Sequence, residues 1–356
     1  MGASEQQRLI DAAISHSIDL THYSNDVVRR IRVLLRSLDA DLANKLIAAL
    51  DGVNPTTFTI RRLEELAAGV RTVSVQMQTA VKEEVNKDLL ELARYEFDYQ
   101  RSVFGDVLRS PSFEQVYAAV EAKPFQGKLM SEWFDTISGS VQKKLTNAVS
   151  LGFAEGRTID EIVRTIRGRR DQNYKDGILE VTRREAEAIA RTAISHTAGA
   201  VRDELYKNNA DLFLAEEWVS TLDTRTTPTC QIRDGLKYTT GEHDPIGHKV
   251  PWGAGPGRIH WNCRSTSVPV MRDTFGLNLP SIRASEAGPI AATTKYGAWL
   301  LRQSAERQDE VLGPTRGKLL RQGGIKFDRF FNNEGRYLTL EQLRKNDAKA
   351  FSKAGV

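Results

Sequence analysis

Only two cysteines occur in the 356 residues, Cys230 and Cys263, and His260 stands three positions before the second. Thiol and imidazole groups hold soft metal ions and also make nucleophiles near neutral pH, so this small set opens distinct chemistries. As ligands, His260 and Cys263 supply half of a zinc spacing and Cys230 a third donor, whereas a closed structural site takes four. Thr227, three residues before Cys230, is a poor fourth ligand, and no HExxH segment accompanies the set. As nucleophile and base, a cysteine and His260 need an orienting carboxylate, for which Asp223 and Asp234 are the candidates. As architecture, both cysteines are small buried hydrophobes and His260 bonds backbone. Trp252 and Trp261 then supply core that short strands cannot. Counting ligands favours architecture, with zinc at Cys230, His260 and Cys263 kept open.

The elements around these residues are short and turn-rich. Trp218 to Thr221 reads as a strand, Asp234–Gly235 as a tight turn, and Leu236 to Thr240 as the returning strand. Glycine and proline between Glu242 and Arg258 exclude a regular element there. HWNCRSTSVPV, from His260 to Val270, then resumes β-branched alternation. Ahead of this region lies an alanine-rich helix, REAEAIARTAISHTAGAVRDELY, opened by a capping box at Thr182 and Glu185. Its apolar stripe is Ala186, Ile189, Ala190, Ala193, Ile194, Val201 and Leu205, with Arg191, Thr192 and His196 close by.

The first hundred or so residues read as long amphipathic helices. Val27, Ile31, Leu34, Leu35, Leu38, Leu42, Leu46 and Leu50 recur at helical spacing, with Asn25 as cap and Gly52 and Pro55 as stop. The next segment, TIRRLEEL to FDYQ, is long enough to break near Val73–Val75. A capping box at Thr158 and Glu161 opens a short helix that Gly168 closes. After SEAGPIAATT, read as a linker, one helix runs to Gly313. A last box at Thr339 and Gln342 opens a basic terminal helix.

These readings give a predominantly helical α+β chain: a helical region 1–124, a central α+β region 125–275 and a helical extension 276–356. Their net charges are −3, +1 and +6. The basic surplus favours an anionic partner, with Arg316, Lys318, Arg321, Lys326 and Arg329 as candidate DNA contacts. Phe327, Phe330 and Phe331 between them read as core rather than as stacking platforms. No apolar run is long enough to span a bilayer, the first residues lack a signal-peptide pattern, and two cysteines suit a reducing compartment.

An ordered series of motifs carries a resemblance. IARTAISHTAGAVRDELY is followed by Trp218, by D-x-R-T-x-P-x-C at Asp223–Cys230 with Arg225 inside it, by Asp234–Gly235, and by H-W-N-C-R-S containing Asn262 and Arg264. The series resembles the phage Mu F-like head-morphogenesis family, the minor head proteins of tailed phages, over roughly Leu151 to Arg344. Many members carry C-P-x-C and H-x-N-C-R-C; here Thr227 and Ser265 stand where the first and last cysteines would be. The resemblance implies a non-enzymatic virion component, made in the host cytoplasm and held inside the head near the portal. It implies the portal protein, a major capsid or scaffolding protein and packaged double-stranded DNA as partners, and no membrane during assembly. An ejected DNA-binding or toxin-like effector is the alternative.

Overall fold

Ala3–Leu50 forms one helix, α1, that passes through Asn25 without interruption. The cap expected at Asn25 is absent because the apolar stripe continues on its N-terminal side, where Leu9, Ile10, Ile14 and Leu20 are buried. The computed structural model describes residues 3–50, 60–155, 157–272, 283–286, 288–290 and 294–356. The expected stop at Gly52 and Pro55 and the boundary at 275–276 lie outside the described residues. Ile60–Phe104 is a second long helix, α2, with no break at Val73–Val75. β-Branched residues lower helix propensity by only tenths of a kcal/mol each, ~0.5 or so, too little to interrupt an amphipathic run.

The remaining helices before the sheet are α3 (Phe113–Ala122), α4 (Met130–Ala154), α5 (Ile159–Arg167) and α6 (Ile178–Lys207). The chain packs as two units, one made of Met1–Thr21, Arg94–Val120 and Ala198–Val356, the other of His22–Ala93 and Glu121–Thr197.

In the second of these, charged side chains clip α1 to α2. Arg30 donates to Glu84 at 2.9 Å and Asp88 at 2.6 Å, and the Tyr23 hydroxyl donates to the Asp88 carbonyl at 3.0 Å. Arg32 grips Glu187 with two bonds of 2.8 Å. α5 starts at the expected box, where Thr158 and Glu161 satisfy each other's backbone, and ends at Gly168 with φ +89. α6 begins earlier than expected. Thr182 is buried one turn inside it and donates to the Ile178 carbonyl at 2.9 Å instead of capping.

The other unit holds the sheet. β1 (Phe213–Val219), β2 (Lys237–Tyr238), β3 (Pro245–Ile246) and β4 (Thr266–Met271) make one antiparallel sheet in the order β3-β2-β1-β4. Glu216 pairs with Pro269 and Trp218 with Ser267, after an irregularity between Phe213 and Ala215. The expected strands are present, shifted or trimmed by a few residues, but β3 falls inside Glu242–Arg258, where no regular element was expected, because two residues suffice to bond β2 between the turns. α7 (Pro228–Gln231) is a single turn between β1 and β2. Part of the expected linker is a hairpin, β5 (Arg283–Ser285) with β6 (Gly288–Ile290).

The C-terminal helix expected to run unbroken to Gly313 is two: α8 (Tyr296–Leu301) and α9 (Ala305–Leu312), the latter capped by Ser304. α10 (Pro314–Lys318) runs into a π-turn at Leu319–Gly323. α11 (Leu340–Asn346) starts at the expected Thr339 box and α12 (Ala348–Ala354) follows. Tyr296, Trp299, Leu300, Leu319, Phe330, Phe331 and Phe351 are buried in one cluster, against which Phe327 packs.

A buried ionic group joins three helices of this unit. Glu96 of α2 is fully buried and bonds His16 of α1 at 2.6 Å, Arg202 of α6 at 2.9 Å and Gln100 at 2.7 Å. Burial by itself raises a carboxyl group, but Arg202 and His16 outweigh it and hold Glu96 at about 2. Its contribution to stability is present above the ordinary value of 4.5 and is lost as pH falls through about 2. Glu96→Ala orphans a buried guanidinium and is expected to cost about 3–5 kcal/mol, read from denaturant midpoints. Glu96→Gln is expected to remove that part of the acid-side decline.

Candidate functional site

Three positions on different elements converge at one end of the sheet. Cys230 sits in α7, which Pro228 starts and Thr227 precedes in extended conformation. His260 and Cys263 lie in the irregular chain before β4, where Asn262 takes φ +57 and Gly255 φ +93. The left-handed residues bend this chain back, because an extended or helical path would carry His260 and Cys263 apart. The Cys230 sulfur lies 3.1 Å from His260 Nε2 and 3.7 Å from the Cys263 sulfur. Thr227 Oγ1 is 2.9 Å from the same Nε2. Both cysteines are free thiols and buried. Trp218, Tyr238 and Trp252 pack with them in one cluster. Trp261, expected in that core, is instead 36% exposed.

His260 Nδ1 lies 2.9 Å from the Trp261 carbonyl, an acceptor, so Nδ1 carries a proton and Nε2 faces the sulfurs. Burial opposes a thiolate at Cys263, yet interactions with Cys230 and His260 outweigh burial and hold this thiol well below its usual value. Its hydrogen bond to Cys263, with burial, pushes Cys230 well above it. His260 is lowered by burial but raised more by Cys263, and ends above its ordinary value. Cys263 is thus the more acidic of the two thiols, and both sulfurs are closed to solvent.

The two candidate orienting carboxylates work elsewhere. Arg264 grips Asp223 with bonds of 2.5 and 2.9 Å, which outweighs burial and holds Asp223 below its ordinary value. Asp223 also accepts from the backbone N–H of Arg225 at 3.1 Å, while the Arg225 side chain stays in solvent. Asp234 is buried and accepts the backbone N–H of Ser220 and of Tyr296, each at 2.8 Å. Gly235 beside it takes φ +75, and an added Cβ would lie 2.7 Å from the Lys295 side chain. His260 turns Nδ1 to a carbonyl and to neither carboxylate, so a Cys–His–Asp triad is not assembled.

The donors do suit a metal. Two sulfurs and one imidazole nitrogen match the preference of zinc, with the Thr227 hydroxyl beside the imidazole nitrogen. The residues fit zinc through three ligands. Bound there, the ion would supply a cross-link between α7 and the chain leading into β4.

Of the five basic candidates in the C-terminal extension, two are engaged within the protein. Arg316 donates to the Leu338 carbonyl at 2.9 Å and lies 4.8 Å over the Tyr337 ring. Arg321 pairs with Asp309 at 2.7 Å. Lys318, Lys326 and Arg329 are exposed.

Residues 141–268, from within α4 to β4, match the family model described as Phage Mu protein F like protein. The match takes in 128 of the 356 residues, and over that stretch the chain is similar to phage Mu F-like proteins. The braced thiol–imidazole knot, Asp223, Asp234 and Arg264 all fall inside it. The chain is also 26% identical over 181 residues to the NAD(+)--arginine ADP-ribosyltransferase EFV of Enterococcus faecalis, a match taking in 49% of this chain and 35% of that protein. The chain thus spans about a third of the length of that curated relative. No solved structure matches.

A second buried polar group in the sheet region escaped the sequence reading. Asp203 of α6, Glu216 of β1 and His243 of the β2–β3 turn come together. The one local signal was Glu216 itself, a carboxylate in a strand that buries both faces.

Thr227→Cys restores the C-P-x-C turn of the phage Mu F-like family and should tighten zinc binding about tenfold or more, ~1.4 kcal/mol. Competition against a chromophoric chelator measures it, and an unchanged affinity would count against a metal-competent knot.

Proposed function

We propose that this chain is a minor head protein of a tailed phage, held at the portal vertex inside the capsid and acting in head assembly, DNA packaging and genome delivery. The observation that carries the reading is the family match over residues 141–268, which covers the braced sheet region. That region is built as a rigid body: both sulfurs are closed to solvent and both nearby carboxylates hold backbone or arginine. Rigid, ligand-poor architecture serves docking better than turnover. Its partners in this reading are the portal protein, the major capsid or scaffolding protein and packaged double-stranded DNA. The acidic first region suits protein contacts, and the +6 of the last suits a position facing DNA. Among the described residues no helix is long and apolar enough to cross a membrane.

The relative from Enterococcus faecalis favours a second reading, an effector that transfers ADP-ribose from NAD to arginine. Nicotinamide release from NAD by the purified chain, with an arginine acceptor, separates the two. Turnover supports the effector and removes the purely structural assignment.

Co-expression of a tagged chain with the portal protein of the same phage is expected to yield a joint complex. Labelled heads are expected to carry the tag at one vertex. A chain that enters no head, or spreads over the whole shell, overturns the portal assignment. Charge reversal at the exposed Lys318, Lys326 and Arg329 in the full chain is expected to weaken duplex DNA binding. The log–log salt slope should become shallower by about 3.

A further inference from the structure

We propose that Asp203, Glu216 and His243 form a second site, for a divalent cation of the zinc class, separate from the sulfur knot. The three side chains come from α6, the centre of β1 and the turn between β2 and β3. Their donor atoms lie within 4.8 Å of one another. Zinc bonds of about 2.0–2.2 Å place tetrahedral donors about 3.4 Å apart, so small side-chain rotations close this set around an ion.

Charge makes the case. Asp203 is 5% exposed and Glu216 is fully buried. The buried cations facing them are Arg258, whose guanidinium donates to Asp203 Oδ2, and Arg202, which attracts Asp203 while bonded to Glu96. Counted with Glu96, three buried carboxylates face two guanidiniums and leave a buried negative charge, a costly arrangement unless an ion or a proton supplies the balance. Glu216 Oε1 faces His243 Nε2 at 3.1 Å, and Glu216 Oε2 has no hydrogen-bond partner among the described residues. A metal ion would take up that oxygen and the imidazole nitrogen together. Arg258 on Asp203 is then the hydrogen-bonding support that metal-binding carboxylates usually have.

The histidine is positioned rather than incidental. His243 takes φ +60, which only the surrounding contacts hold in place for a residue with a Cβ. Its backbone N–H bonds the Thr239 carbonyl at 3.0 Å, and its ring lies flat on Trp252 at 4.4 Å. The imidazole is 15% exposed, which gives an ion a way in from solvent. One nitrogen and two carboxylate oxygens suit zinc, cobalt or manganese better than magnesium or calcium, which favour all-oxygen shells.

The test uses the full-length chain stripped by chelator and reloaded with zinc or cobalt. In Cys230→Ser/Cys263→Ser, one equivalent of metal is expected to bind, and the cobalt form should lack a sulfur-to-cobalt charge-transfer band. Adding Glu216→Gln or His243→Gln is expected to weaken that binding 10- to 100-fold. No binding in the double-serine chain, or binding unaffected by Glu216→Gln, overturns the site and assigns the missing charge to a proton. If the double-serine chain does not fold, zinc X-ray absorption on the wild-type chain decides instead. A shell at full loading that includes a nitrogen–oxygen-only centre supports the site, and sulfur ligation of every ion overturns it.

Discussion

The carboxylate of Asp234 accepts the backbone N–H of Ser220 on one oxygen and that of Tyr296 on the other. Much of the sheet region depends on substitutions of this kind. β2 and β3 are two residues each, so most backbone groups between β1 and β4 have no ladder to join. Buried backbone must still be paired. Side chains therefore take the place of strands: Arg233 donates to the carbonyls of Thr229 and Pro251, Ser220 to that of Cys230, Thr226 to that of Thr221 and Gln231 to that of Thr226. The Tyr296 hydroxyl donates to the Asp223 carbonyl, which ties the start of α8 into the same network.

That network explains how the sulfur knot can lose a ligand. In a site whose geometry depends on metal alone, a missing fourth donor would leave the chain unpaired. Here Thr227 puts its hydroxyl against His260, while its carbonyl accepts the backbone N–H of Cys230 and Gln231 in the turn started by Pro228. Trp218, Tyr238 and Trp252 exclude water from the sulfurs whether or not an ion sits among them. The knot is thus over-determined, held by apolar burial, by side chain-to-backbone bonds and by the thiol–imidazole interactions together.

Helical content, the order of elements and the two boxes at Thr158 and Thr339 were legible because each rests on local chemistry. Asn25 and Thr182 carried the same local signal and were misleading. An apolar stripe already running past them outweighs one cap, worth about 1 kcal/mol. The split between α8 and α9 was missed although Ser304 is an ordinary cap, since the surrounding apolar spacing hid it. At the site, the convergence of Cys230, His260 and Cys263 was foreseeable from residue type. The distinct duties of Asp223 and Asp234 were not, because those depend on partners about 40 and 60 positions away, a separation no local pattern reports. Glu96, Arg202 and His16 escaped for the same reason.

A docking element and a catalyst place different demands on a polypeptide. Catalysis needs reactive groups exposed to substrate and free of competing bonds. A docking element needs a shape that holds under load, which means few open cavities and polar groups spent on one another. The sheet region follows the second pattern: Asp223, Asp234, Arg233 and Arg264 are all committed to internal partners. These charged residues hold the backbone of the region in place. Exposed cations lie both on the braced region, at Arg225, Lys237 and Lys249, and in the extension, at Lys318, Lys326 and Arg329.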